Sequence, residues 1–444
     1  MRLTPRSIDV DLERLQTDRS YRDVVQRNSI EVTPQFMLGF VEFDDQGWFW
    51  DRNQLRSFEA AVRDDDQAAK NGAIIVVFVH GWKHSADCCD HNVTCFRDVL
   101  KVLQQDEQKF AAAISKHGGP RKARRIVGLY VGWRGLSVKP KVLRELSFFN
   151  RKAVAHRIGD AGDSIRLLTR LNRLTKGLGS SRLVVVGHSF GGTLVFSALA
   201  GKLKDVAEGN LPDTFPDGDQ CPERLKRLFL DEAMYILVNP AFEASRYAGL
   251  HELAVDSRCA DDRQSPFLII VGSKNDQATR GWFQLGRRTS TLFEKTRDAG
   301  QRTAMIKAIG HHDAFVTHRL ERRTRDAVPE QTGYAKDKKA EKSCACEYRI
   351  DVLSPAEFPD PPVPNPNWRQ VLPANANWIL RDPHNGIGDN TPFMVVNATE
   401  DVIPGHNEIY SSVFIEFLRD IIIAVNRTTP QDPELGGNEV ATVD

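Results

Sequence analysis

Five nearly unbroken apolar runs constrain this chain more than any other feature: IIVVFV (Ile74 to Val79), IVGLYV (Ile126 to Val131), LVVV (Leu183 to Val186), FLIIVG (Phe267 to Gly272) and FMVVNA (Phe393 to Ala398). A strand with one face in water alternates apolar and polar residues; these runs do not, so each must be covered on both faces. Helical periodicity lies between them, over Phe96 to His117, over about Leu143 to Leu174, and directly after Ser189, while another short strand is expected around Met234 to Val238. Strands alternating with helices predict an α/β fold: a mostly parallel sheet clothed by helices on both faces. MLGFVEFDDQGWFW (Met37 to Trp50) adds an N-terminal hairpin turning at Asp44 to Gly47.

At 444 residues the chain has room for one elaborated domain. The sequence divides into an N-terminal segment (1–35), a main domain (36–426) and a polar tail (427–444) expected to be disordered. Within the domain, 313–390 mixes charge (KDKKAEK) with proline (PDPPVPNPNW), lacks periodicity, and reads as a long insertion before the last strand, expected to act as a lid. The Gly-, Pro- and Asp-rich stretch from Lys204 to Pro222 reads as a second surface loop.

Sixty Lys and Arg against 59 Asp and Glu leave a formal charge of +1, which predicts no electrostatic footprint for nucleic acid or an anionic membrane; RRTR (Arg322 to Arg325) reads as a solvated face. No apolar run approaches the length of a membrane span, and the N-terminal residues lack the core of a signal peptide, so a soluble cytoplasmic protein is expected, of unassigned oligomeric state. The seven cysteines show no paired CxxC spacing and are expected to be mostly free thiols; the alternatives are a local bridge from Cys88 or Cys89 to Cys95 and a Cys-His metal site around His91.

The chemistry concentrates in RLVVVGHSFGGTLVFSALA (Arg182 to Ala200), where an apolar strand runs through Gly187, His188, Ser189, Phe190 and Gly191 into a helix. The bare G-x-S-x-G pattern is expected roughly 0.15 times by chance in such a chain, so its context carries the weight. A sharp strand-to-helix turn needs small residues two before and two after the serine, which Gly187 and Gly191 supply. The competing readings are an anion-binding turn, for which the lysine of a phosphate loop is missing, and a tight turn without chemistry.

With HGW (His80 to Trp82), GHSFGG (Gly187 to Gly192), SKND (Ser273 to Asp276) and PGHN (Pro404 to Asn407) in that order, the chain resembles the α/β-hydrolase superfamily over Phe36 to Val425, and its serine esterase and lipase-like branch more loosely. The resemblance implies a nucleophile at Ser189, an acid at Asp276, and oxyanion donors at the backbone N–H groups of Phe190 and Trp82. It implies a small-molecule ester or lipid-like substrate, no cofactor and no metal. Thioester or amide cleavage and acyl transfer use the same apparatus. An inactive hydrolase-fold binding module is the alternative from another class, and a metal-dependent hydrolase built on His311, His312, Asp313 and His318 is a third.

Two assignments have rivals. Asp276 closes an apolar strand where a carboxylate can lean over the sheet edge, but it also suits a helix N-cap, and Glu243 is the rival acid. For the base, spacing after Asp276 favours His311, preceded by TAMIKAIG as a candidate strand. Strand, turn and closing helix favour His406, which sits between FMVVNA and SSVFIEFLRDIIIAV. A long insertion costs little in loop-closure entropy, so His406 is preferred. His80 is expected to bond locally.

Overall fold

A computed structural model describes residues 20, 29–116, 122–134, 141–208, 233–255, 266–323, 346, 372–373, 375–381 and 391–425. Among the described residues ten strands form one sheet: β1 (Ile30–Val32), β2 (Met37–Glu42), β3 (Ala73–Val79), β4 (Arg125–Gly132), β5 (Arg182–His188), β6 (Met234–Val238), β7 (Leu268–Ser273), β8 (His318–Arg322), β9 (Trp378–Arg381) and β10 (Phe393–Ala398). Their spatial order is β1-β2-β4-β3-β5-β6-β7-β10-β8-β9. Only the outermost pairs, β1 with β2 and β8 with β9, are antiparallel. The protein is therefore α/β with a mostly parallel sheet.

The apolar runs are buried on both faces for the reason their composition dictates. In β3, Ile75, Val77 and Val79 enter one core and Ile74, Val76 and Phe78 the other. The first core is covered by α1 (Arg52–Arg63), α2 (Asp66–Asn71), α4 (Lys141–Asp160), α5 (Gly162–Lys176) and α6 (Phe190–Glu208). The second is covered by α3 (His91–Lys116) and α10 (Ser412–Val425). Between α6 and α10 the chain adds α7 (Ala248–Val255), α8 (Phe283–Ser290) and α9 (Ala299–Ile306).

Several expectations change in detail. The segment Met37 to Trp50 contributes one strand and a turn closed by a single Phe43–Phe49 bridge, and the antiparallel partner of β2 is β1 instead. The expected Leu143 to Leu174 helix is two helices broken at Ala161, where the Ser164 hydroxyl donates to the Ile158 carbonyl in place of a continuing backbone bond. TAMIKAIG is not a strand: it runs from α9 into a 3₁₀ turn. The stretch 313–390, expected to act as a lid, supplies β8 and β9, which extend the sheet beyond β10; the rest of it (324–345, 347–371, 374 and 382–390), most of the loop after Lys204, and the tail lie outside the described residues. No helix among the described residues is long and apolar enough to cross a membrane.

The cysteine expectation is overturned. Cys95, on the buried face of α3, is bonded to Cys346, 251 residues later, with Cα atoms 4.6 Å apart. Cys89 is also disulfide-bonded, and Cys88 is an exposed free thiol. Sequence spacing suggested only local partners because Cys346 reaches α3 through tertiary structure. With Cys95 so engaged, the alternative of a Cys-His metal site around His91 loses the Cys95 thiol. Closing so long a loop should make Cys346→Ala cost on the order of 2–5 kcal/mol. Thermal unfolding followed by circular dichroism should show a lowered Tm for that variant and none for Cys88→Ala; equal Tm values for both would remove the tether from the stability account.

Candidate active site

From β3 the chain moves outward to β4, then jumps back across β3 to β5, from which it grows towards β6 and β7. The connections leaving β3 and β5 thus diverge, opening a crevice at their carboxyl ends where open α/β sheets bind ligands. HGW follows β3 and Ser189 follows β5, so both motifs meet at that crevice.

Ser189 occupies the left-handed region with φ 55°, a conformation costing a residue with a Cβ about 1–3 kcal/mol and held only where surroundings over-determine it. Its N–H donates to Val238 O at 2.9 Å, and its own carbonyl receives the N–H groups of Thr193 and Ala241. The flanking glycines are required by packing. A Cβ on Gly191 would run into the carbonyl oxygen of Val79, and one on Gly81 would lie 2.9 Å from the Ser189 Cβ. The loop after β3 therefore rests directly on the turn. α6 starts at Phe190, so the Phe190 N–H belongs to the first helical turn, whose donors have no intrahelical acceptor. Phe148 of α4 packs on both expected oxyanion residues, with ring centroids 4.8 Å from Phe190 and 5.5 Å from Trp82.

Ser189, Asp276 and His406 come together across 217 and 130 residues. His406 Nε2 lies 2.8 Å from Ser189 Oγ and Nδ1 lies 2.8 Å from Asp276 Oδ2. A carboxylate only accepts, so Nδ1 carries the proton and Nε2 is left to accept from the serine hydroxyl. Asp276 has no exposed surface. Its Oδ1 accepts from the Ala278 and Thr279 N–H groups at 2.9 and 3.0 Å, and its Oδ2 from the Thr279 hydroxyl at 2.6 Å. Capping and His orientation were alternatives in the sequence; the two carboxylate oxygens do both. Burial raises the Asp276 pKa, but His406 and the Thr279 donors outweigh it and hold the group at about 2.

His311 stands behind the acid. Its Nε2 is 2.8 Å from Thr279 Oγ1. The Thr279 hydroxyl has one proton and gives it to Asp276, so His311 must donate through Nε2–H, and burial lowers its pKa. It is the outer member of a chain that reaches Ser189 through Thr279, Asp276 and His406. Glu243, the rival acid, is engaged by Lys152 and by Arg287 Nε at 2.8 Å, away from His406. His80 bonds locally: Nδ1 donates to Gly81 O at 2.8 Å and Nε2 accepts the Trp133 N–H at 3.1 Å, with burial holding its pKa at about 4. His312 stacks on Phe315, Asp313 is exposed, and His318 is beside Thr317, so the residues of the metal-dependent reading do not converge.

Four further residues fasten the histidine loop and were not assigned that role from the sequence. His188 Nε2 donates to the His406 carbonyl at 2.8 Å, and burial holds this imidazole neutral at about 3. Asn239, with φ 46°, donates from Nδ2 to the carbonyls of Gly405 and His406 and accepts the Ser273 N–H at Oδ1. Ser273 Oγ and Asn275 Nδ2 then hold the carbonyls of Ile403 and Pro404, both at 2.7 Å. The histidine loop is thus fastened at four consecutive carbonyls, 403 to 406, by side chains at the ends of β5, β6 and β7. His188 lay inside GHSFGG, and Ser273 and Asn275 inside SKND; Asn239, an ordinary Asn after a strand, carries no signal of such a contact.

No known protein-family model, curated protein or solved structure matches this chain.

Because the folded Asp276 pKa of about 2 lies below its ordinary 3.8, its stabilisation is complete above about pH 4 and is lost as pH falls through 2. Thr279→Val removes one donor and orphans the His311 N–H, and should cost about 1–3 kcal/mol. It should also move the acid-unfolding midpoint upward, with Thr279→Ser restoring both; unchanged unfolding curves for the valine variant would contradict the hydrogen-bond assignment.

Proposed function

We propose that this protein is a serine hydrolase of the α/β-hydrolase kind, cleaving a carboxylic ester of a small or lipid-like molecule without a cofactor. The Ser189 hydroxyl attacks the acyl carbon while His406 Nε2 takes its proton, and Asp276 stabilises the resulting imidazolium. The carbonyl oxygen becomes an oxyanion, received by the backbone N–H groups of Phe190 and Trp82. Collapse expels the alcohol, protonated from His406, and leaves an acyl-serine. A water then attacks that ester, giving its proton to His406; the second collapse releases the carboxylic acid and returns the proton to Ser189.

The observation that carries this reading is the continuous chain Ser189 Oγ, His406 Nε2 and Nδ1, Asp276 Oδ2, each contact at 2.8 Å, with the serine on a strained turn. The strain and the four clasped carbonyls favour chemistry over a binding module, because a tight turn without chemistry has no need of either. The compartment is better read from the cysteines: the Cys95–Cys346 bridge and the bonded Cys89 fit an oxidising environment, against the cytoplasmic expectation.

The test is labelling with a fluorophosphonate probe together with hydrolysis of a panel of short- and long-chain p-nitrophenyl esters. Wild-type protein should be labelled on Ser189, and Ser189→Ala should lose both label and turnover, the latter by about 10⁵- to 10⁶-fold. A folded wild type that resists the probe would sink the hydrolase reading. His406→Ala should abolish acylation at neutral pH, whereas His311→Ala should retain much of it; the reverse ranking would reassign the base.

A further inference from the structure

On the sheet face away from α3, the helices α1 and α5 enclose a groove of about 690 Å³ that is separate from the serine site. Its floor includes Phe49, Leu55 and Ile165. Its walls carry six arginines, Arg52, Arg56 and Arg63 from α1 and Arg166, Arg170 and Arg173 from α5. They recur at four- and seven-residue spacings on α1 and at four- and three-residue spacings on α5, so each set forms one stripe, about 16 Å long on α1 and about 10 Å long on α5 at about 1.5 Å per residue.

Two carboxylates answer these six guanidinium groups. Glu59 takes Arg170, and Asp163 lies 3.1 Å from Arg166 and 3.9 Å from Arg52. Arg56, Arg63 and Arg173 are exposed, and among the described residues no carboxylate pairs with them. Glu59 stands four residues before Arg63 on α1, but its carboxylate is engaged by Arg170 of the facing helix. Like charges at four-residue spacing, as at Arg52 with Arg56, destabilise a helix by about 0.2–0.5 kcal/mol a pair. Arg56, Arg63 and Arg173 are thus left facing an anion placed between the stripes. The choice of arginine narrows the anion, since its planar fork matches phosphate oxygens two at a time. The volume is that of a small-molecule site.

We propose that this groove binds a multiply phosphorylated ligand, its phosphates bridging Arg56 and Arg63 of one helix to Arg173 of the other. The same chemistry is offered by a soluble polyphosphate and by a polyphosphorylated lipid headgroup. Trp48 and Trp50, 67% and 48% exposed on either side of the groove residue Phe49, are placed to enter a bilayer interface in the second case.

The experiment pairs isothermal titration with tripolyphosphate and sedimentation with phosphatidylcholine vesicles, plain or containing phosphatidylinositol bisphosphate. Wild-type protein should bind tripolyphosphate, the bisphosphate vesicles, or both, with affinity falling as salt rises. Binding of the vesicles alone, weakened by Trp48→Ala, identifies the lipid source, and binding of free tripolyphosphate at comparable affinity identifies the soluble one. The triple variant Arg56→Glu, Arg63→Glu, Arg173→Glu should lose at least about 100-fold in affinity while keeping Tm and probe labelling at Ser189. The corresponding triple glutamine variant replaces it if the charge reversal impairs folding. The proposal is overturned if wild type binds neither probe, if the triple variants bind as wild type does, or if single-stranded RNA competes far more tightly than tripolyphosphate for the same arginines.

Discussion

Asp276 carries a full charge with no exposed surface, and the carboxyl edge of the sheet is organised around that burial. An ionised carboxylate in a protein interior costs several kcal/mol unless donors surround it. Here they come from two places: the start of the following helical turn supplies the Ala278 and Thr279 N–H groups and the Thr279 hydroxyl, and a loop 130 residues away supplies His406. The helix therefore holds the acid still, and the acid sets which imidazole nitrogen faces the serine. One group both caps the helical turn and orients His406 because a carboxylate has two oxygens and enough lone pairs to serve both.

The same economy of contacts explains the strained residues. Ser189 and Asn239 both adopt positive φ without being glycine, since each needs its side chain. What holds them is the neighbouring strand: the Ser189 N–H bonds to the end of β6, and the Asn239 N–H to the end of β7, at 2.9 and 2.7 Å. Successive strand ends thus pass one hydrogen bond along the sheet, and the side chains so presented clasp the His406 loop. The His406 loop is held by a parallel sheet whose register aligns Gly187 with Leu237 and Val238 with Val271.

Averages over the chain conceal local organisation. A formal charge of +1 is compatible with six arginines around a single groove, because acidic residues elsewhere cancel them in the total but not in the field at that place. Cysteine spacing is equally silent about a bridge from Cys95 to Cys346: the sequence places them 251 residues apart, and the sheet with α3 brings their Cα atoms to 4.6 Å.

The sequence alone determined the layered α/β architecture, because continuous apolar strands can be satisfied only by cover on both faces, and it located the turn at Ser189, because only small residues permit the close approaches made at Gly187 and Gly191. It also ranked His406 above His311 through the strand before it and the closing helix after it, both of which are local patterns. It did not disclose that His311 backs the acid through Thr279, that Asn239 and His188 hold the histidine loop, or that β8 and β9 emerge from a stretch without periodicity. Those features depend on which strand ends lie side by side. Strand order in a sheet is decided by the packing of helices and crossovers across hundreds of residues, and no window of the sequence contains it.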